Sequence, residues 1–98
     1  GKELTFLAFE NYPGLVIEKD GKHAEVEASL EQVTDWYQNY FEEKAYEVRK
    51  ETGGSSTLIE STGEVRETKG YYLAVESSEF IVSLHLYEKG NLLTLSLN

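Results

Sequence analysis

The sequence predicts a two-layer α+β fold, in which one amphipathic helix over residues 29–44 covers one face of a mainly antiparallel sheet. Three observations carry that prediction. A capped aromatic stripe runs from Ser29 to Lys44, a hairpin pattern surrounds Asp20-Gly21, and the last third of the chain alternates apolar and polar residues over three strands. A cystatin-like wrap, with the sheet curled around the helix, is a geometric variant of the same pattern. At 98 residues the chain reads as one domain, 1–98, long enough to bury roughly 60 to 65% of its unfolded surface without cross-links.

Residues 1–11 read as a docking segment or a linker; Leu4, Phe6, Leu7 and Phe9 make them apolar enough to dock as an extra strand or short helix. Leu15 to Ala28 then reads as a hairpin, with Asp20-Gly21 suited to a type I′ turn. Pairing Lys19 with Lys22 sets Ile17 opposite Ala24 and Leu15 opposite Val26, so the apolar side chains of both strands share a face.

Ser29 is a good helix N-cap, and Gln32 stands where a capping box wants Glu or Gln. Leu30, Val33, Trp36, Tyr37, Tyr40 and Phe41 follow at steps of three and four, while Glu31, Gln32, Asp35, Gln38, Asn39 and Glu42 fall on the other side. Each large side chain buried from that stripe contributes roughly 1.5 to 3 kcal/mol, so the helix is a main contributor to the fold.

After the helix, Tyr46 to Thr52 alternates as a strand. Gly53-Gly54-Ser55-Ser56 reads as a flexible turn, Thr57 to Ser61 as a returning strand, Thr62-Gly63-Glu64 as a second turn, and Val65 to Lys69 is too polar to assign. Taking Ser77-Ser78 and Lys89-Gly90 as turns gives a three-stranded meander. In it Tyr71, Leu73, Val75, Phe80, Val82, Leu84, Leu86, Leu93, Leu95 and Leu97 project to one side, the side the helix should cover.

Tyr12-Pro13-Gly14, the strand end Glu27-Ala28-Ser29, the helix pattern Val33-x-x-Trp36-Tyr37-x-x-Tyr40-Phe41 and the strand Tyr46-Glu47-Val48 together resemble a family of small bacterial extracytoplasmic and lipoprotein domains of unknown function. The similarity covers residues 12–48 and extends to the C-terminal strands in type only. It implies an envelope location and offers no catalytic residues to carry over. Two positions depart from the pattern: Leu15 replaces a small residue, and Ala45 stands where the family ends its helix on glycine.

Composition narrows the function classes. A formal charge of −9 would repel nucleic acid and anionic membrane, and no apolar run is long enough to span a bilayer. An upstream anchor stays open, because the chain opens on Gly1 and holds no methionine. Absence of cysteine removes disulfides, thiolate metal sites and cysteine nucleophiles. Sixteen glutamates against two aspartates read as a solvated acidic surface, since no calcium-loop spacing orders them. His23 and His85 lie far apart in sequence, no serine sits in a nucleophile elbow, and Gly53-Gly54 lacks the lysine of a phosphate loop. No catalytic, cofactor or metal residues are assigned.

What remains is a surface. In the meander register Tyr72, Ala74, Ile81, His85, Tyr87 and Leu92 point away from the helix, and that face is less polar than a solvated sheet face should be. Tyr72, Ile81, His85, Tyr87 and Leu92 are therefore the candidate interaction residues for a protein or glycan. Cover by the N-terminal segment, by the first hairpin or by a homo-oligomer partner is the competing account. The expected function is an interaction or accessory domain of a bacterial envelope protein, without enzymatic activity. The alternative is a small-ligand-binding domain or enzyme, with Trp36 and Tyr46 as walls of a pocket between helix and curved sheet.

Overall fold

The computed structural model describes residues 4–98. Ser29 is extended, at φ −74° and ψ 148°, and its Oγ accepts the Gln32 amide proton at 3.1 Å, which starts helix α1, Leu30–Glu43. The far end closes as a Schellman motif: the Ala45 amide donates to the Glu42 carbonyl at 2.9 Å and the Tyr46 amide to that of Phe41 at 3.2 Å. Ala45 takes the left-handed conformation itself, at φ 62°, where glycine would be unstrained. The Tyr46 and Phe41 rings, 6.3 Å apart, supply the apolar contact that accompanies this cap.

Among the described residues there are eight strands, in chain order: β1 Val16–Ile17, β2 His23–Val26, β3 Glu47–Thr52, β4 Ser55–Ile59, β5 Glu64–Thr68, β6 Gly70–Glu76, β7 Ile81–Lys89 and β8 Leu92–Leu97. Six form one antiparallel sheet in the order β1-β2-β8-β7-β6-β3, and among the described residues β4 pairs only with β5. Helix α1 lies on one face, giving the two-layer α+β arrangement expected from the alternation. Leu73, Val75, Val82, Leu84, Leu86, Leu93, Leu95 and Leu97 are all buried beneath it, with Val33, Tyr37 and Phe41 from the helix. The meander face is as the sequence predicts.

The N-terminal segment docks against the helix. Phe6, in a 3-10 turn Phe6–Ala8, is 1% exposed, and Phe9 meets Phe41 edge-on at 5.2 Å. The Tyr37 hydroxyl fastens this segment by accepting from the Tyr12 amide at 3.2 Å and donating to Asn11 Oδ1 at 3.0 Å. Asn11 Nδ2 in turn donates to the Phe6 carbonyl at 2.8 Å. Burial pushes the Tyr37 phenol up to about 12.

Two turns differ from the sequence reading. In the first hairpin the register is right, with Ile17 opposite Ala24, but the turn is not type I′. Asp20 has no positive φ; Gly21 alone in this turn does, at 71°. The Asp20 carboxylate instead accepts from the Lys22 and His23 amides at 2.9 and 3.2 Å and meets His23 Nδ1 at 2.6 Å. Those bonds, Lys22 first and the His23 side chain next, hold the carboxyl below its ordinary range.

The second correction is larger. Gly53-Gly54-Ser55-Ser56 is not a turn, and Thr57 to Ser61 does not return along the preceding strand. Thr52 faces Tyr71 and Ser55 faces Thr68, three residues further along one strand and three back along the other, so a single register runs through both pairings. The chain reverses at Glu60–Gly63, where the Gly63 amide donates to the Ile59 carbonyl at 2.8 Å and Gly63 has φ 72°. Residues 47–76 thus make one long ribbon. Its outer half, β4 and β5, projects as an arm, and the molecule measures 48 × 27 × 25 Å.

Candidate functional site

Antiparallel pairing fixes what shares the sheet face opposite α1. Glu51, Tyr72, His85 and Ser96 form one cross-strand row, Arg49, Ala74 and Ser83 a second, and Glu47, Glu76 and Ile81 a third. Tyr87 and Thr94 lie beyond the first row toward Leu92, which faces Lys89. All five expected interaction residues therefore share one face. The first hairpin continues the same sheet at its edge, and the N-terminal segment packs on the helix side, through Phe9 and Tyr12.

Exposure is uneven along the face. Ile81 is 79% exposed and Tyr72 36%, while His85, Tyr87 and Leu92 are half-buried. The half-burial of His85 and Tyr87 comes with ring contacts within the sheet. Tyr72 and His85 stack with centroids 4.1 Å apart at 14°, and His85 meets Tyr87 at 4.7 Å. His85 Nε2 lies 2.8 Å from the Gly53 carbonyl oxygen, which can only accept, so Nε2 carries the proton. This row anchors the base of the arm. Gly53 is buried under the Tyr72 ring, where a Cβ would collide.

The five residues do not form one patch. Ile81 and His85 are four positions apart on β7, about 13 Å along a strand, and Leu92 lies beyond Tyr87 at the other end. Beside Ile81 a shallow groove of 480 Å³ runs over Ala74, with Glu47, Arg49 and Glu76 on its rim. The sequence reading missed the groove's charged rim because it paired the strand Tyr46 to Thr52 with the returning segment Thr57 to Ser61 instead of with β6. Pairing Val48 with Val75 would have placed Arg49 beside Ala74.

Trp36 and Tyr46, expected as pocket walls, have different neighbours. Trp36 stacks on Tyr40 at 5.7 Å and meets Tyr12 at 5.9 Å, whereas Tyr46 packs against Phe80 at 5.3 Å. Neither lines the groove over Ala74, a second cleft of 440 Å³ between the arm and Leu30-Glu31, or a third near Leu4 and Phe80. Between helix and sheet the side chains of Tyr37, Leu73 and Leu84 are packed to 0% exposure.

One cluster of possible metal ligands occurs among the described residues, Glu18, Asp20 and His23, with ligand atoms within 4.8 Å of one another. All three are exposed, and the Asp20 carboxylate is already used in closing the hairpin turn. Its role is evident from the turn. No helix of the described residues is long and apolar enough to cross a membrane. Comparison of the chain with family models, curated proteins and solved structures finds no match.

Proposed function

We propose that this chain is an interaction or accessory domain of a bacterial cell-envelope protein, without enzymatic activity, and that it binds a protein partner through the sheet face opposite α1. The observation that carries this reading is Ile81, 79% exposed beside the groove over Ala74. A large aliphatic side chain standing at the wall of a concave strip, with charges at the rim, has the anatomy of a protein contact. A glycan is the poorer fit. Sugar rings stack on open aromatic faces, and Tyr72 and His85 turn their faces toward each other. The envelope location rests on the sequence resemblance of residues 12–48.

The test is a photo-crosslinking amino acid at position 81, compared with one at Glu42 on the exposed side of α1, in cells expressing the full native gene. A discrete adduct at 81 and none at 42 is the expected result. Equal, diffuse labelling at both would remove the sheet-face reading. Mass spectrometry of the mature N-terminus in fractionated cells tests the location separately, and an unprocessed cytoplasmic product would overturn it.

A further inference from the structure

The arm has two edges, and only one is defended. Isolated ribbons leave backbone donors and acceptors open on both sides, and natural proteins protect such edges with charges, proline or cover. On β5, Glu64, Arg66 and Glu67 supply the charges. On β4, Ser55–Ile59 has neither charge nor proline, and no strand pairs with its outer side among the described residues. The preceding strand β3 is defended again, by Arg49 and Lys50. Along residues 47–76 the gap in protection is confined to β4; the sheet's other edge strand, β1, is two residues long.

From these edges we propose that β4 pairs with β4 of a second copy of this chain, antiparallel about Thr57, across a twofold axis. The backbone supports that register. The Gly53 amide donates to the Gly70 carbonyl, so ladder alternation turns the polar groups of Thr57 toward β5 and those of Ser56 and Leu58 outward. Ser56 of one copy then exchanges both bonds with Leu58 of the other, and the two Thr57 side chains face each other. No charged residue opposes a like charge in this pairing. Leu58 and Val65, 61% and 64% exposed and directly paired within the arm, would join their symmetry mates on one face of a four-stranded ribbon.

Charge favours contact at the arm over contact elsewhere. Residues 53–70 hold three glutamates, Arg66 and Lys69, a net of −1, so most of the −9 lies on the body and stays apart in a tip-to-tip dimer. Five residues of edge pairing bury far less than the ~1,200 Å² of a stable complex, so the dimer is a weak one. This inference is independent of the sheet-face reading, because it uses a different surface.

Sedimentation velocity of the full chain, from about 10 µM to about 1 mM, is expected to show a concentration-dependent dimer that tightens as salt screens the two acidic bodies. Thr57→Glu keeps the arm, since the new carboxylate faces Arg66 within the chain, but sets two carboxylates together across the axis. It should weaken dimerisation at least about tenfold. A chain without cysteine also permits a cleaner readout. Under mild oxidation Thr57→Cys should cross-link to a dimer much faster than Ser61→Cys in the turn, because directly opposed Cβ atoms lie within disulfide reach. A monomer at every concentration, a dimer that Thr57→Glu leaves intact, or equal cross-linking of the two cysteine variants would each overturn the proposal.

Discussion

Residues 47–76 make two kinds of structure with one ribbon. From Glu47 to Thr52, β3 pairs with β6, which in turn rests on β7 and under α1, and the β6 side chains Leu73 and Val75 are fully buried. From Ser55 to Ile59, β4 pairs with β5 in the same register, yet its apolar pair Leu58 and Val65 is mostly exposed. Backbone hydrogen bonding is shared by both halves. A neighbouring strand and a covering helix separate them, so the comparison shows what a third strand and a second layer add to a two-stranded ladder, which is marginal in water by itself.

The largest expected effect lies in the body. Phe41 is 1% exposed among Phe9, Tyr37, Tyr40 and Tyr46, and Phe41→Ala should lower unfolding free energy by about 3–5 kcal/mol. Leu58→Ala in the arm should change it by less than about 0.5 kcal/mol. Urea titrations of both variants decide the matter: comparable losses would mean that the arm is packed against something in solution.

The junction should answer next. A Cβ on Gly54 would run into the Thr68 carbonyl oxygen, which is backbone and cannot rotate away, and one on Gly70 would lie 2.7 Å from the Leu86 carbonyl oxygen. Gly54→Ala should therefore cost about 1–3 kcal/mol, felt in the arm before the body. Amide exchange is expected to accelerate across residues 55–68 while β7 keeps its protection. Equal acceleration in β7 would show that arm and body open as one unit.

The same contrast explains what could be read from the sequence. The meander and helix were legible because a buried face imposes a period, two in Leu93, Leu95 and Leu97 and near 3.6 in Val33, Tyr37 and Phe41. The first hairpin's register was legible for that reason as well, although its turn was not, since Asp20 can serve equally as a positive-φ residue or as a hydrogen-bond acceptor. The arm buries nothing and so left no period. Its Gly53-Gly54 pair, required where the Tyr72 ring and the Thr68 carbonyl oxygen approach the backbone, looked like a reversal. Placing the reversal at Glu60–Gly63 would have set Leu58 against Val65 and Val48 against Val75 at once, a consistency available from sequence. Of the candidate interaction residues, the shared face was legible from alternation. Their separation along β7 and the stacking of His85 between two tyrosines depended on strand pairing and rotamers.

A third prediction turns on pH. Tyr37 is neutral when folded up to about 12, against an ordinary value near 10, so its burial favours the folded state fully below pH ~10 and progressively less as pH rises toward 12. Tyr37→Phe removes the bonds to Asn11 and the Tyr12 amide and should cost about 1–2 kcal/mol at neutral pH. It should also flatten the alkaline fall in stability. Denaturation curves between about pH 8 and about pH 11.5, spanning the ordinary phenol value near 10, would show parallel limbs if some other group governs that fall. Arm exchange should be untouched in either case.

The smallest effect is a gain. Ala45 holds the left-handed position of the helix cap at φ 62°, a conformation that costs an L-residue about 1–2 kcal/mol, while glycine there loses roughly 0.5–1 kcal/mol more chain entropy on folding. Ala45→Gly should therefore stabilise the body by about 0.5–1 kcal/mol and raise the melting temperature by about 2–6 °C. The turn leads directly into β3, so the gain falls on the buried half of the ribbon, and exchange in residues 55–68 should not change. A melting temperature that stays level or falls would mean that the two cap hydrogen bonds, from Ala45 to Glu42 and from Tyr46 to Phe41, do not hold the helix end in solution. The junction between α1 and the ribbon would then be set by the packing of Tyr46 on Phe41 and Phe80 alone.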